Sequence, residues 1–281
     1  MFMMTEQERL IGVHPTEPHI FGFWLKSTDL PTTERKKHRL LTENRSHRSA
    51  AIDQLAQWII EYHIPEFNLD LLKKKKALLD KHGLGQYIAH LHPLPKSDTT
   101  QKGNLGEIVL IEYLKNSRGF TPYIYKLHYN PNVEQSMKGD DVLMFNPEDI
   151  NNELIYGECK FRSTPTAAVV SDIVGNLEGQ NKLPISLTFV AYRVNEAGNN
   201  DLAEKILDLQ HKIYNGEVLV TNAGFLISKC SKRSGCGTSA VVEKNLDTSN
   251  PRLVMISLGV EDPEEIVKKA FQKAEEILIT K

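Results

Sequence analysis

The sequence predicts a mixed α/β protein in which a central sheet is flanked by helices and preceded by a mainly helical accessory segment. Three observations carry that expectation. Residues 46–92 hold three successive stretches with apolar residues at helical spacing. A proline-broken polar run at 93–103 then interrupts every periodic pattern. Beyond it, short apolar runs alternate with amphipathic stretches, the order expected of a sheet covered by helices.

Taken in order, residues 1–45 mix Pro15, Pro18, Gly22 and Pro31 with short apolar pieces such as 20–25, and read as a strand or two with loops. Ala50, Ile52, Leu55, Trp58 and Ile59 mark a helix over 46–62, which Pro65 ends. Two further helices are predicted at 68–81 and 84–92, the first carrying Lys73, Lys74, Lys75 and Lys76. Such a run is either a solvated face or a DNA-facing one. The polar run places a domain boundary, giving an accessory domain over 1–95 and a second domain over 96–281. In that second part the spacing predicts a helix at 105–115, a strand at 123–127 and a hairpin whose apolar runs are 142–145 and 154–156. A helix at 166–181, a strand at 185–194 and a helix at 202–214 follow, then strands at 218–220, 225–228 and 253–258. Asp262, Pro263, Glu264 and Glu265 open a final helix, because a capping carboxylate, a proline in the first turn and acidic residues all suit a helix N-terminus.

Composition narrows the function classes. The chain has 281 residues, 40% of them apolar and 25% charged, as a globular protein has. A formal net charge of -2 supplies no global basic field, so contact with nucleic acid has to come from local patches or a partner. Cys159, Cys230 and Cys236 leave one thiol over from any pairing, Cys230 and Cys236 lack metal-ligand spacing, and no secretory leader is recognisable. A cytoplasmic location is the expectation. No run reaches the roughly 18 apolar residues of a membrane span, and the ten histidines, His90 and His92 among them, form no zinc motif.

The chemistry concentrates at the hairpin. Alternation along a strand puts Glu158 and Lys160 on one face and Cys159 and Phe161 on the other. Asp141, just before the first run, comes near Glu158 if the two runs pair; Asp140 is the alternative, but its choice would turn Asp141 away. On the preceding helix Glu107 shares a stripe with Leu110, Ile111 and Leu114 and points inward, while Glu112 lies off that stripe and reads as surface. An isolated Glu-x-Lys is most often a surface ion pair worth about 0–1 kcal/mol. Here Ile155 and Phe161 put the strand in a core, and an inward Glu107 needs a partner.

Glu107 on an opening helix, Gly139-x-Asp141 before an apolar run, Glu158-Cys159-Lys160 on the next strand 17 residues on, and a helix after it resemble the PD-(D/E)xK nuclease superfamily over about residues 103–195. There is no proline before Asp141, a departure from the literal motif. Residues 104–107, 138–141 and 157–162, behind an N-terminal segment of about 95 residues, also resemble the nuclease subunits of bacterial Hachiman antiphage systems. These resemblances imply a restriction-endonuclease-like core, a partner helicase bound through the N-terminal segment, and DNA degradation when infection is sensed.

Phosphodiester hydrolysis asks for an activated water and a stabilised phosphorane, both of which a hard cation on oxygen ligands provides. Asp141 and Glu158, with the backbone carbonyl of Cys159, are the expected ligands of Mg2+ or Mn2+; Glu107 would hold a second ion or act through water. Lys160 would orient or deprotonate the water. Lys138, Arg162, Gln180, Lys182, Lys232 and Arg233 are candidate nucleic-acid contacts, each with an ordinary surface role as the other reading. Two rival functions stand beside the nuclease: a non-catalytic subunit that binds nucleic acid or regulates a helicase, and a stand-alone restriction enzyme.

Overall fold

The computed structural model describes residues 4–84, 86–87, 93–135, 139–178, 186–230 and 237–280. Its centre is a six-stranded sheet in the order β1-β2-β6-β5-β4-β3, formed by β1 (Leu25–Asp29), β2 (His38–Glu43), β3 (Val142–Phe145), β4 (Glu153–Arg162), β5 (Leu219–Lys229) and β6 (Leu253–Val260). The four inner strands β2, β6, β5 and β4 run parallel, while β1 and β3 close the two edges antiparallel. Every residue of β6 is buried, as a strand covered on both faces requires.

One face is covered by α5 (Asp98–Arg118), α3 (Arg48–His63), α10 (Pro263–Thr280) and the short α1 (Glu6–Ile11). The other carries α6 (Ala167–Leu177), α7 (Ser186–Glu196), α8 (Asn200–Tyr214) and α9 (Gly237–Asn245). The remaining helices are α2 (Ile20–Trp24) and α4 (Glu66–Lys81); α4 buries none of its residues. None of the described helices is long and apolar enough to cross a membrane.

Several expectations meet a different structure. The boundary expected near residue 95 is crossed by the sheet itself, since β2 pairs with β6 from His38↔Met255 to Thr42↔Gly259. It is also crossed by one apolar cluster in which Leu10, Trp24, Leu55 and Ile59 join Leu110, Phe225, Ile256 and Ala270. The prolines at 93 and 95 mark a turn, and residues 98–103 of the expected linker form the first turns of α5. Residues 20–24 are helical, not extended. The strand expected at 123–127 is instead a bridge, Thr121↔Phe145, followed by a 3-10 turn at Lys126–Tyr129.

The strand expected at 185–194 is α7. Its buried Leu187, Val190, Ala191 and Val194 are spaced three, four and seven apart, a helical stripe that its β-branched content masks. The two short runs at 218–220 and 225–228 are one continuous strand. Glu112 is only 3% exposed, because α5 is sandwiched between the sheet and α3. There it accepts from the Tyr62 hydroxyl at 2.7 Å and from Lys115 at 2.9 Å. Most of the helix expected at 84–92 lies outside the described residues, as do His90, His92 and Cys236.

Candidate active site

The site forms where the β3–β4 ladder ends and β4 continues. Pairing with β3 stops at Val142↔Gly157, whereas β4 stays paired with β5 through Arg162↔Ser228. Just past the last rung, the Cys159 N–H donates to Asp141 Oδ2 at 2.8 Å, which fixes that carboxylate against the free edge. Gly157 lets helix and strand close up, because a Cβ there would stand 2.8 Å from both Leu110 Cδ2 and Val142 Cβ. With α5 seated this tightly, Glu107, one turn before Leu110, is brought over the same edge.

Glu107 is 8% exposed, and its pKa is pushed up to about 8 by burial and by the charges of Asp141 and Glu158, against the opposing pull of Lys126. The Asp141 carboxyl is also raised, first by burial and then by Glu158. Glu158 accepts from Lys160 Nζ at 2.5 Å and from Asn176 Nδ2 on α6 at 2.8 Å. Burial lowers the Lys160 ammonium, but its bond to Glu158 outweighs that and leaves its pKa raised. Cys159 turns its side chain toward the α5 layer, where burial holds the thiol in its neutral form.

Asp140 is engaged elsewhere. Its carboxylate accepts from the Tyr156 hydroxyl and, at 3.0 Å, from the Ser186 N–H, while its own N–H donates to Ser186 Oγ at 3.1 Å. It therefore pins the start of α7 to the loop before β3, and Asp141 is the one beside Glu158. Lys126 on the 3-10 turn donates to the Asp140 carbonyl at 2.9 Å. A cavity of about 40 Å³ lies among Glu107, Asp140, Asp141, Lys126 and Ser186, enough for a water or a bare cation.

The donor set suits a hard divalent ion. It consists of carboxylate oxygens, with the buried Glu107 made costlier to ionise by the charges of Asp141 and Glu158. Among the described residues no three metal-binding side chains converge closely enough to grip an ion in this arrangement. Lys160 and Asn176 hold Glu158, and the Cys159 N–H holds Asp141. Arg162 lies exposed on the Glu158–Lys160 face of β4 and donates to the Phe161 carbonyl at 2.7 Å. Lys138, Gln180, Lys182, Lys232 and Arg233 lie outside the described residues.

Sequence reasoning missed Lys126, Asn176, Tyr156 and Ser186. Reading 123–127 as a strand hid Lys126, and reading 185–194 as a strand hid the helix start at Ser186. Asn176 had a signal, since it sits ten residues along the helix that follows the Glu-x-Lys strand.

A family model described as HamA matches residues 18–274. The Hachiman protein HamA of Bacillus cereus is 43% identical over 276 residues, which is 98% of each of the two chains. That span takes in the first strands β1 and β2, the cleft between α5 and β4, and the last strand and most of the last helix. On this extent of agreement, the chain belongs to the HamA family.

Proposed function

We propose that the chain is a metal-dependent DNA endonuclease of PD-(D/E)xK type, working with a helicase subunit as the effector of a Hachiman antiphage system. The observation that carries this reading is the gathering of Asp141 and Glu158 at the free edge of β4, where their charges raise the cost of ionising Glu107, with Lys160 beside Glu158. Asp141 and Glu158 would hold Mg2+ or Mn2+, with the Cys159 carbonyl as a third oxygen and Glu107 as a second-ion or water-mediated ligand. When bound, the ion lowers the pKa of a coordinated water and offsets charge on the phosphate.

The chain's own residues do the rest. Lys160, released from Glu158, orients the attacking water and neutralises a non-bridging phosphate oxygen. Asn176 holds the Glu158 carboxylate from the α6 side. Arg162, at the next position on that face of β4, meets the phosphate backbone.

The test is cleavage of plasmid DNA in Mg2+ by the purified chain with and without its helicase partner. The parent cuts, and Glu158→Ala and Lys160→Ala do not; variants that cut as well as the parent remove the site assignment. A non-catalytic reading draws on one observation, the closed Lys160–Glu158 pair with no converged donor trio among the described residues. It takes over if the parent fails to cut under every metal and partner condition.

A further inference from the structure

A second pocket lies on the α6–α9 side of the sheet, near the end where β5 and β6 begin. Tyr156 on β4, Leu177 at the end of α6, Ile213 on α8 and Val220 on β5 form its apolar walls, and Asn222, Asn250 and Arg252 border it as well. Its volume of about 230 Å³ falls below the roughly 300–1,000 Å³ of pockets that take drug-sized ligands, and suits a single ring with a small substituent.

Residues of β5 alternate between the two layers: Ala223 and Phe225 join the α5-side cluster, Val220 and Leu226 the α6-side one. Asn222 therefore turns its side chain to the pocket side. It is 6% exposed, and its amide makes no hydrogen bond among the described residues. Asn250 is 7% exposed; its Oδ1 accepts from the Arg252 N–H at 2.9 Å, which leaves its Nδ2 without an acceptor among the described residues. Amides buried this deeply cost free energy unless something pairs with them. The Arg252 guanidinium is already engaged, donating to Glu153 and, at 2.7 Å, to Thr221 Oγ1, so the pocket calls for an uncharged ligand.

The unpaired groups are two donors and one acceptor: the amide nitrogen and oxygen of Asn222, and the amide nitrogen of Asn250. The matching edge offers two acceptors and one donor. Pyrimidine bases have it, since uracil and thymine present C=O, N–H and C=O in a row, and cytosine presents an amino group, a ring nitrogen and C=O. Guanine presents one acceptor and two donors there, and adenine one of each.

We propose that this pocket binds a pyrimidine nucleoside, with Asn222 pairing with the base and Asn250 donating to its remaining carbonyl. Tyr156, one of the walls, holds Asp140 through its hydroxyl, so the base rests against a side chain that also anchors the carboxylate cleft. The inference does not depend on the nuclease reading.

Saturation-transfer NMR titrations of the full chain with thymidine, deoxycytidine, deoxyadenosine and deoxyguanosine test it. The two pyrimidine nucleosides bind with a Kd of about 1 mM or tighter, and the two purine nucleosides at least about tenfold more weakly, because a buried donor is left unpaired. Asn222→Ala weakens thymidine binding at least about tenfold. Val220→Phe fills the pocket from its apolar wall and abolishes binding, which keeps the test decisive should the Asn222 variant fail to fold; a thermal melt checks both. If no nucleoside binds in that range, if the purines bind as well as the pyrimidines, or if a folded variant binds thymidine like the parent, the inference is wrong.

Discussion

Strand β4 has a carboxylate at each of two places five residues apart, Glu153 buried and Glu158 partly exposed, and the fold treats them in opposite ways. Glu153, at its start, is 5% exposed and is enclosed by Arg118 Nη2 at 2.8 Å, Thr221 Oγ1 at 2.6 Å and the Arg252 guanidinium. Two permanently charged forks close that end. Around Glu158 the cations are lysines, and two further carboxylates crowd in rather than being kept away. A site built only for stability would resemble the first. Leaving like charges together, and answering them with side chains that can move, makes sense where something else is meant to arrive.

The contrast can be broken most sharply at its stable end. Glu153→Ala leaves two arginines uncompensated and costs about 3–5 kcal/mol in urea denaturation; a loss below about 1 kcal/mol would mean that this end is no clamp. Next in size, Glu158→Gln lowers DNA cleavage at least about a hundredfold while leaving the melting temperature unchanged or higher.

A third buried polar group shows how a site without paired charges behaves. His63 on α3 donates from Nδ1 to the Ile59 carbonyl at 2.7 Å and accepts from Asn104 at 2.9 Å, and burial lowers its pKa to about 4. The unfolded chain takes up a proton below its ordinary 6.5 while the folded one does not. The His63 contribution is therefore complete above pH 6.5 and is lost as the pH falls toward 4, about 3 kcal/mol in all. Denaturation midpoints measured across that window should lose most of this slope in His63→Gln. The smallest expected effect is at Asp141. In metal-free buffer, Asp141→Asn raises the denaturation midpoint slightly because one of the repelling charges is gone; a destabilised variant would show that the crowding costs nothing.

Legibility from sequence followed the range of the interactions involved. The hairpin, Glu107, and the facing of Glu158 and Lys160 could all be read from local periodicity, because alternation and helical spacing are set within a few residues. The covering of α5 by α3 could not, which is why Glu112 passed for a surface residue. The same holds for Tyr156 and Ser186, whose shared contact with Asp140 joins three separate elements. Lys126 was lost to an error of type: a short aromatic stretch, Tyr123 to Tyr125, has strand composition but follows a single bridge at Thr121 and runs into a 3-10 turn.

The order of the strands has a consequence for biosynthesis. β2 finds its parallel neighbour more than two hundred residues later, in β6. On the ribosome, the edge of β2 that pairs with β6 therefore stays open until residues 253–260 have emerged. A transcript truncated before that point yields no folded N-terminal fragment. A cell that makes this protein gets the carboxylate cleft and its edge strands together or gets neither.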